Sequence, residues 1–95
     1  MMDIKVHENK DTDEVVITLG KRFDLSIKEN FISAYSNFEP SRNYRINFKN
    51  VEVFDESTRN MLLLLRNFTG IYPTITIEGC QHKCVNTIRH FITIV

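Results

Sequence analysis

Apolar and polar residues alternate in several short segments of the chain, and this alternation predicts β-strands. The first segment is built on Ile4 and Val6. The last, residues 91–95, is expected to be a final short strand or an apolar tail packed against the sheet. Between them, β-branched and aromatic residues favour extended structure most strongly in three segments. These are residues 15–19, 44–48 and 75–77.

Apolar side chains at helical spacing predict a first helix over residues 27–38. Ser26 followed by Glu29 has the spacing of a capping box, in which two side chains satisfy free amides of the first turn. Pro40 lies just beyond the segment and is expected to stop the helix. A shorter helix is predicted near the end of the chain, over residues 82–90.

The longest helix is predicted for residues 55–68, which follow two further strand-forming residues, Val51 and Val53. Asp55 is a preferred N-cap, and the charge of Glu56 suits the positive end of the helix dipole. Gly70 is the expected C-cap. Four residues at helical spacing are expected to face the core: Met61, Leu64, Leu65 and Phe68. Five others are expected on or beside the opposite face: Arg59, Asn60, Leu63, Arg66 and Asn67.

The predicted order of elements is β-β-α-β-α-β-α-β, which indicates a single α/β domain spanning residues 1–95. Strands that alternate with helices imply crossover connections, so a mixed, mostly parallel sheet is expected. We expect about four to five strands and about three to four helices, with the helices on one side of the sheet.

The composition of the chain limits the partners and the cellular location that we expect. The 95 residues are 42% hydrophobic and 25% charged, and 12 basic residues balance 12 acidic ones. This balance argues against nucleic acid or an anionic membrane as the main partner, because both attract basic surfaces. The first residues lack the apolar core of a signal peptide, and the longest apolar run, residues 61–65, is too short to span a bilayer. A cytoplasmic protein is therefore expected.

The sequence offers little to suggest catalysis or a cofactor. Cys80 and Cys84 lie four apart with His82 between them, but this spacing fits neither a C-x-x-C redox pair nor a complete zinc set. Ordinary thiols are the preferred interpretation. The sequence contains no glycine-rich phosphate loop and no nucleophile motif. We predict neither catalytic residues, nor a metal site, nor a cofactor.

The chain resembles a STAS domain, the fold of anti-sigma factor antagonists and related regulatory modules. The resemblance covers nearly the whole chain. It is carried by Gly20 with Phe23-Asp24, by strand 44–48, and above all by the strand 51–54 that runs through Asp55 into the leucine-rich helix. Typical members have D-S-S-G or D-S-A-L-G at that junction. The resemblance implies a bacterial regulatory protein that acts by protein–protein binding in a partner-switching pathway.

In that family the serine after the aspartate is phosphorylated by an anti-sigma kinase, and phosphorylation releases the partner. Asp55 matches the aspartate, but the phosphoacceptor position holds Glu56. One hypothesis is that Glu56 mimics the phosphorylated state. Another moves phosphorylation to Ser57 or Thr58, although the neighbouring carboxylates would oppose a phosphate there. Without the resemblance, the polar segment 55–58 would be interpreted as helix capping alone.

The resemblance implies as partner an anti-sigma factor or a serine-kinase-type regulatory protein. The predicted partner-binding residues are Asp24, Asp55, Glu56, Ser57, Thr58, Arg59, Asn60 and Leu63. Two alternatives stay open: a constitutive STAS interaction subunit of a transport or larger signalling complex, anchored by Leu63, and a small-molecule module, for which the sequence shows no pocket. The apolar tail 91–95 could pair with a second copy to form a homodimer or close the chain's own sheet.

Overall fold

The computed structural model describes residues 4–80 and 88–95. Its seven strands are β1 Lys5–Asn9, β2 Glu14–Thr18, β3 Arg22–Phe23, β4 Asn43–Asn47, β5 Val53–Phe54, β6 Ile75–Glu78 and β7 Thr93–Ile94. Its helices are a short 3₁₀ helix Leu25–Ile27, α1 Lys28–Ser36 and α2 Ser57–Thr69. The described residues thus contain two α-helices and one 3₁₀ helix, fewer than expected. Most of the helix predicted for residues 82–90 lies within residues 81–87, which are outside the described residues.

Five strands form the main sheet in the order β1-β2-β4-β6-β7. β1 and β2 are an antiparallel hairpin, whereas the other neighbours are parallel. This confirms the predicted mixed, mostly parallel α/β sheet. β7 pairs with β6, so the apolar tail closes the chain's own sheet. This pairing does not test the predicted homodimer, which stays a prediction.

A second, small sheet pairs β3 with β5 in parallel. It is fixed by Lys21, whose carbonyl oxygen accepts hydrogen bonds from the amides of Glu52 at 2.7 Å and Val53 at 2.9 Å. This sheet brings the segment after β2 against the segment that enters α2. It therefore joins the two parts of the sequence on which the family resemblance rests.

The core lies between one face of the main sheet and the two α-helices. Strand alternation sends fully buried side chains to this face, among them Val15, Ile17, Tyr44, Ile46, Ile75 and Ile77. The helices add Phe31 and Tyr35 from α1 and Met61, Leu62 and Leu65 from α2. The opposite face is polar: the Arg45 guanidinium lies 3.1 Å from Glu14 and 3.3 Å from Glu78.

The start of the first helix differs from the prediction. The expected Ser26–Glu29 capping box does not form; Asp24 caps the 3₁₀ helix instead, and its carboxylate accepts a hydrogen bond from the Ser26 amide. Arg22 already holds that carboxylate in place, which explains why Asp24 provides the cap. Ile27 precedes α1 without a side-chain cap, so the 3₁₀ turn leads directly into the helix.

The buried face of α2 is rotated relative to the prediction. Leu62 is fully buried, whereas Leu64, expected in the core, is 39% exposed. Leu63, expected on the polar face, is half-buried against the core. The cause lies at the first turn, where the Thr58 hydroxyl donates a hydrogen bond of 2.8 Å to the Phe23 carbonyl and fixes the orientation of the helix. The buried positions 58, 61, 62, 65 and 69 follow from that orientation.

Arg66 is more than a solvent-exposed charge, because its side chain holds the end of α2. Gly70 caps the helix at a positive φ of 76°, as predicted. The Arg66 guanidinium donates to the carbonyl oxygens of Phe91 and Pro73, each at 2.7 Å, and of Gly70 at 2.8 Å. Burial lowers the pKa of Arg66. This side chain therefore ties the helix end to β6 and to the C-terminal segment.

Candidate functional site

The start of α2, the β3–β5 sheet and the 3₁₀ helix meet at one surface. β3 leads directly into the turn at Asp24, and β5 leads directly into Asp55. Because the two strands are parallel and paired, both aspartates emerge at the same end of the small sheet. Residues about 30 positions apart in sequence are thereby brought together.

Asp55 joins the two segments through its carboxylate. One oxygen, Oδ1, accepts a hydrogen bond of 2.8 Å from the Ser57 amide at the start of α2. The other, Oδ2, accepts one of 3.3 Å from the Leu25 amide in the 3₁₀ helix. The Asp55 backbone carbonyl also accepts from the Thr58 amide at 3.2 Å. Asp55 therefore supplies the capping hydrogen bond at the start of α2, although the N-cap position itself is held by Glu56 and not by Asp55 as predicted, and it also ties the helix to the neighbouring turn.

The Asp24 side chain is buried and finds its hydrogen-bond and ion-pair partners within the chain. Its carboxylate accepts hydrogen bonds from the Ser26 amide at 3.1 Å and from the Ser26 hydroxyl, and it lies 2.9 Å from the Arg22 guanidinium. The hydrogen bond from the Ser26 side chain and that from Arg22 lower the pKa of Asp24. The Asp24 carboxylate therefore shapes the turn, and its direct contact with a partner stays a prediction.

Thr58 is also removed from the accessible surface. It is fully buried, and its hydroxyl donates to the Phe23 carbonyl at 2.8 Å. A kinase could reach that oxygen only if the first turn of α2 opened. Thr58 as a shifted phosphoacceptor or direct partner contact therefore stays a prediction, and either role requires the first turn of α2 to open.

The remaining predicted residues of the helix start are accessible. Glu56, Arg59 and Asn60 are exposed. Glu56 occupies the N-cap position without a side-chain hydrogen bond to the helix. Ser57 is half-buried, and its hydroxyl makes no hydrogen bond to the described part of the chain. The result is an exposed carboxylate at position 56, directly followed by an available hydroxyl.

Two exposed leucines, Leu25 and Leu64, extend this surface, and neither is among the predicted partner-binding residues. Leu25 is 60% exposed and is anchored through its amide to Asp55. Its position between Asp24 and Ser26 was a usable signal for a surface turn, because Asp side chains hydrogen-bond the backbone two residues on. Leu64 is the more exposed leucine of α2, whereas the predicted Leu63 is half-buried and its contact with a partner stays a prediction.

The described residues hold no group of three or more His, Cys, Asp or Glu side chains that could bind a metal ion. Cys80 is half-buried. His82 and Cys84 lie outside the described residues. Within the described ranges, the helices are too short or too polar to cross a membrane.

No protein-family model matches the sequence, and no curated protein matches it significantly. Among solved structures, the chain is similar to that of the anti-sigma factor antagonist SpoIIAA in its unphosphorylated form. The TM-score is 0.77, and the match covers 98% of this chain and 87% of that one. The chain has the STAS fold. Sequence identity is 12%, so the likeness is one of fold.

This match confirms the fold expected from the strand–Asp55–leucine helix arrangement. The compared protein is an anti-sigma factor antagonist. In the present chain the phosphoacceptor position indicated by the family resemblance is Glu56, at the accessible start of α2.

Proposed function

We propose that this chain is an anti-sigma factor antagonist-like regulatory protein, which acts by protein–protein binding in a partner-switching pathway. The proposed partner is an anti-sigma factor or serine-kinase-type regulatory protein. The proposal is supported chiefly by one observation: the accessible start of α2 is tied by Asp55 to the turn that carries Leu25, in a fold shared with an antagonist.

The physical properties of this surface favour binding to a protein. Asp55 makes hydrogen bonds to both segments, so little conformational entropy would be lost when a partner docks there. Leu25 supplies exposed apolar surface, and its burial against a partner would favour binding. The charges of Glu56 and Arg59 around it would contribute specificity and speed of association.

Glu56 is the residue proposed to set the state of the protein. A phosphoserine carries a charge of about −1.5 to −2 at neutral pH, whereas Glu carries one negative charge on a longer side chain. In this position Glu56 is exposed and has no structural hydrogen bond to lose. We infer that it imitates a phosphorylated helix start in part, which would weaken binding to a partner that prefers the uncharged form.

Ser57 remains the alternative phosphoacceptor. Ser57 is half-buried in the first turn of α2, where the positive end of the helix dipole favours a phosphate. The carboxylates of Asp55 and Glu56 directly precede it and would oppose the added charge. Phosphopeptide mapping from cells that contain the kinase tests this alternative, and wild-type protein without modification at Ser57 would eliminate it.

The decisive experiment is affinity capture from native cells with wild type, Glu56→Ser and Glu39→Ser, followed by mass spectrometry. Glu39→Ser is a matched control, because it makes the same substitution at an exposed glutamate near the opposite end of α2. The next residue, Pro40, lines a hollow together with Thr69 in the last turn of that helix. We expect a kinase-type anti-sigma factor to be captured, more strongly with Glu56→Ser and unchanged with Glu39→Ser. A transporter subunit, or no specific partner, would end the sigma-factor proposal.

A constitutive interaction subunit is the second candidate. The observation that favours it is the carboxylate at position 56, which cannot be phosphorylated. In that case the same partner should bind wild type and Glu56→Ser equally, with or without ATP. A partner whose release from Glu56→Ser requires ATP would argue against a constitutive role.

A further inference from the structure

A basic hollow lies at the edge of the main sheet where β2 and β4 end. Its volume is about 470 Å³, and its lining includes Lys5, Thr18, Lys21, Lys49, Asn50 and Glu52. It lies outside the partner surface proposed above, so the inference drawn from it goes beyond that function. Ligands of open α/β sheets bind preferentially outside the carboxyl ends of the strands, which is where this hollow lies.

The three lysines are brought together from separate segments. Lys5 begins β1 and pairs in register with Thr18 at the end of β2. Lys21 follows β2, and Lys49 follows β4, which runs parallel to β2. Three positive charges thus converge on one edge of the sheet, although the chain has a net charge of zero.

The backbone around the hollow is well supported. The Lys21 carbonyl accepts hydrogen bonds from Glu52 and Val53, and the Lys49 amide donates to Asn47 Oδ1 at 2.9 Å. Gly79 packs so closely against Lys49 that an added Cβ would lie 3.1 Å from the Lys49 backbone nitrogen. The loops that carry the two lysines are therefore held in place before any ligand arrives.

The ammonium groups are available to a ligand. In the described part of the chain, Lys5, Lys21 and Lys49 form no ion pair with Asp or Glu. Glu52 is the acidic residue of the lining, so positive charge exceeds negative. Lysine is a compact point charge that suits phosphate oxygens, and Thr18 and Asn50 offer neutral hydrogen-bond donors beside it.

We propose that this hollow binds a small phosphorylated molecule that carries at least two negative charges. The volume lies within the range of about 300–1,000 Å³ that is usual for small-molecule sites. A single carboxylate would neutralise only one of the three positive charges, whereas a ligand with two or more negative charges would neutralise more of them.

The test is an NMR titration of ¹⁵N-labelled protein with sodium pyrophosphate, inorganic phosphate and citrate, each at constant ionic strength. Pyrophosphate should produce saturable shifts at the amides of Gly20, Lys21, Lys49 and Asn50, and it should bind more tightly than phosphate or citrate. If shifts never saturate, if sodium chloride reproduces them, or if citrate binds as tightly as pyrophosphate, the proposal is wrong.

Charge variants make the test specific. Lys21→Gln and Lys49→Gln should each weaken pyrophosphate binding about fivefold, the effect of one unit charge at contact distance in water. Glu52→Gln should strengthen binding by a similar factor, which loss of folding could not imitate. Lys10→Gln, in the exposed hairpin turn at the opposite end of β2, should have no effect. Equal weakening by Lys10→Gln, or unchanged binding in Glu52→Gln, would overturn the site.

Discussion

Replacement of Asp55 by alanine tests the central structural claim, that one carboxylate holds the proposed partner surface together. The change removes the acceptor of the Ser57 amide at 2.8 Å and that of the Leu25 amide at 3.3 Å. It also removes a negative charge from the start of α2. The expected result is a less stable protein whose 3₁₀ turn is detached from the helix.

The magnitude follows from three contributions. Loss of an N-cap costs about 1 kcal/mol. The longer, exposed hydrogen bond to Leu25 adds about 0.5 kcal/mol, at the lower end for such bonds. The lost charge at the helix dipole adds about 0.5 kcal/mol. The sum is about 2 kcal/mol, which corresponds to a fall in Tm of roughly 8–16 °C for a domain of this size.

Urea unfolding followed by circular dichroism measures this loss, with two variants for comparison. Asp55→Asn keeps one oxygen acceptor but presents an NH₂ group to the second amide, so it loses the charge and one of the two hydrogen bonds and should cost about 1 kcal/mol. Glu56→Ala removes a neighbouring carboxylate that makes no capping hydrogen bond, so its cost should be about 0.5 kcal/mol or less. If Asp55→Ala and Glu56→Ala were equally stable, the capping and bridging role of Asp55 would be refuted.

Three further predictions concern stability. Leu62→Ala should lower the free energy of unfolding by about 3–5 kcal/mol, whereas Leu64→Ala should cost under about 1 kcal/mol; equal costs would contradict the buried face of α2. Arg66→Met should lower the free energy of unfolding by about 2 kcal/mol, because several carbonyl oxygens lose a charged donor. Arg59→Met, at an exposed position, should lower it by under about 0.5 kcal/mol in the same urea assay. The pKa of Asp24 is lowered, so its stabilising effect is fully present above its ordinary value of 3.8 and is lost as pH falls through the lower folded-state pKa. Unfolding measured across this acid range should depend less on pH in Asp24→Asn, and an unchanged dependence would contradict the hydrogen-bonding role of Asp24.

The main strands could be predicted because each has a distinct apolar face. In β4, Tyr44 and Ile46 point into the core while Arg45 points away, and that contrast is visible as alternation in the sequence. The small sheet could not be recognised as a sheet in the same way. β3 and β5 are each two residues long, too short for any period, and their pairing depends on contacts between distant segments.

The rotation of α2 could not be predicted for a related reason. Residues 61–65 are all apolar, so their pattern is compatible with several buried faces. The choice is made by Thr58, through a hydrogen bond to a residue 35 positions earlier in the chain. Arg66 shows the same limit: its carbonyl acceptors at Pro73 and Phe91 are brought near only by the fold.

The structure also explains how the helix start can keep one residue of the family pattern and depart from the next. Asp55 makes hydrogen bonds to two segments, so its replacement would disturb the fold. The side chain of Glu56 makes no capping hydrogen bond and faces solvent, so the fold places little constraint on its identity. A serine, a phosphoserine or a glutamate at position 56 would be compatible with the same backbone, and would differ in what they offer a partner. Position 56 is therefore a place where binding could change while the STAS fold is retained.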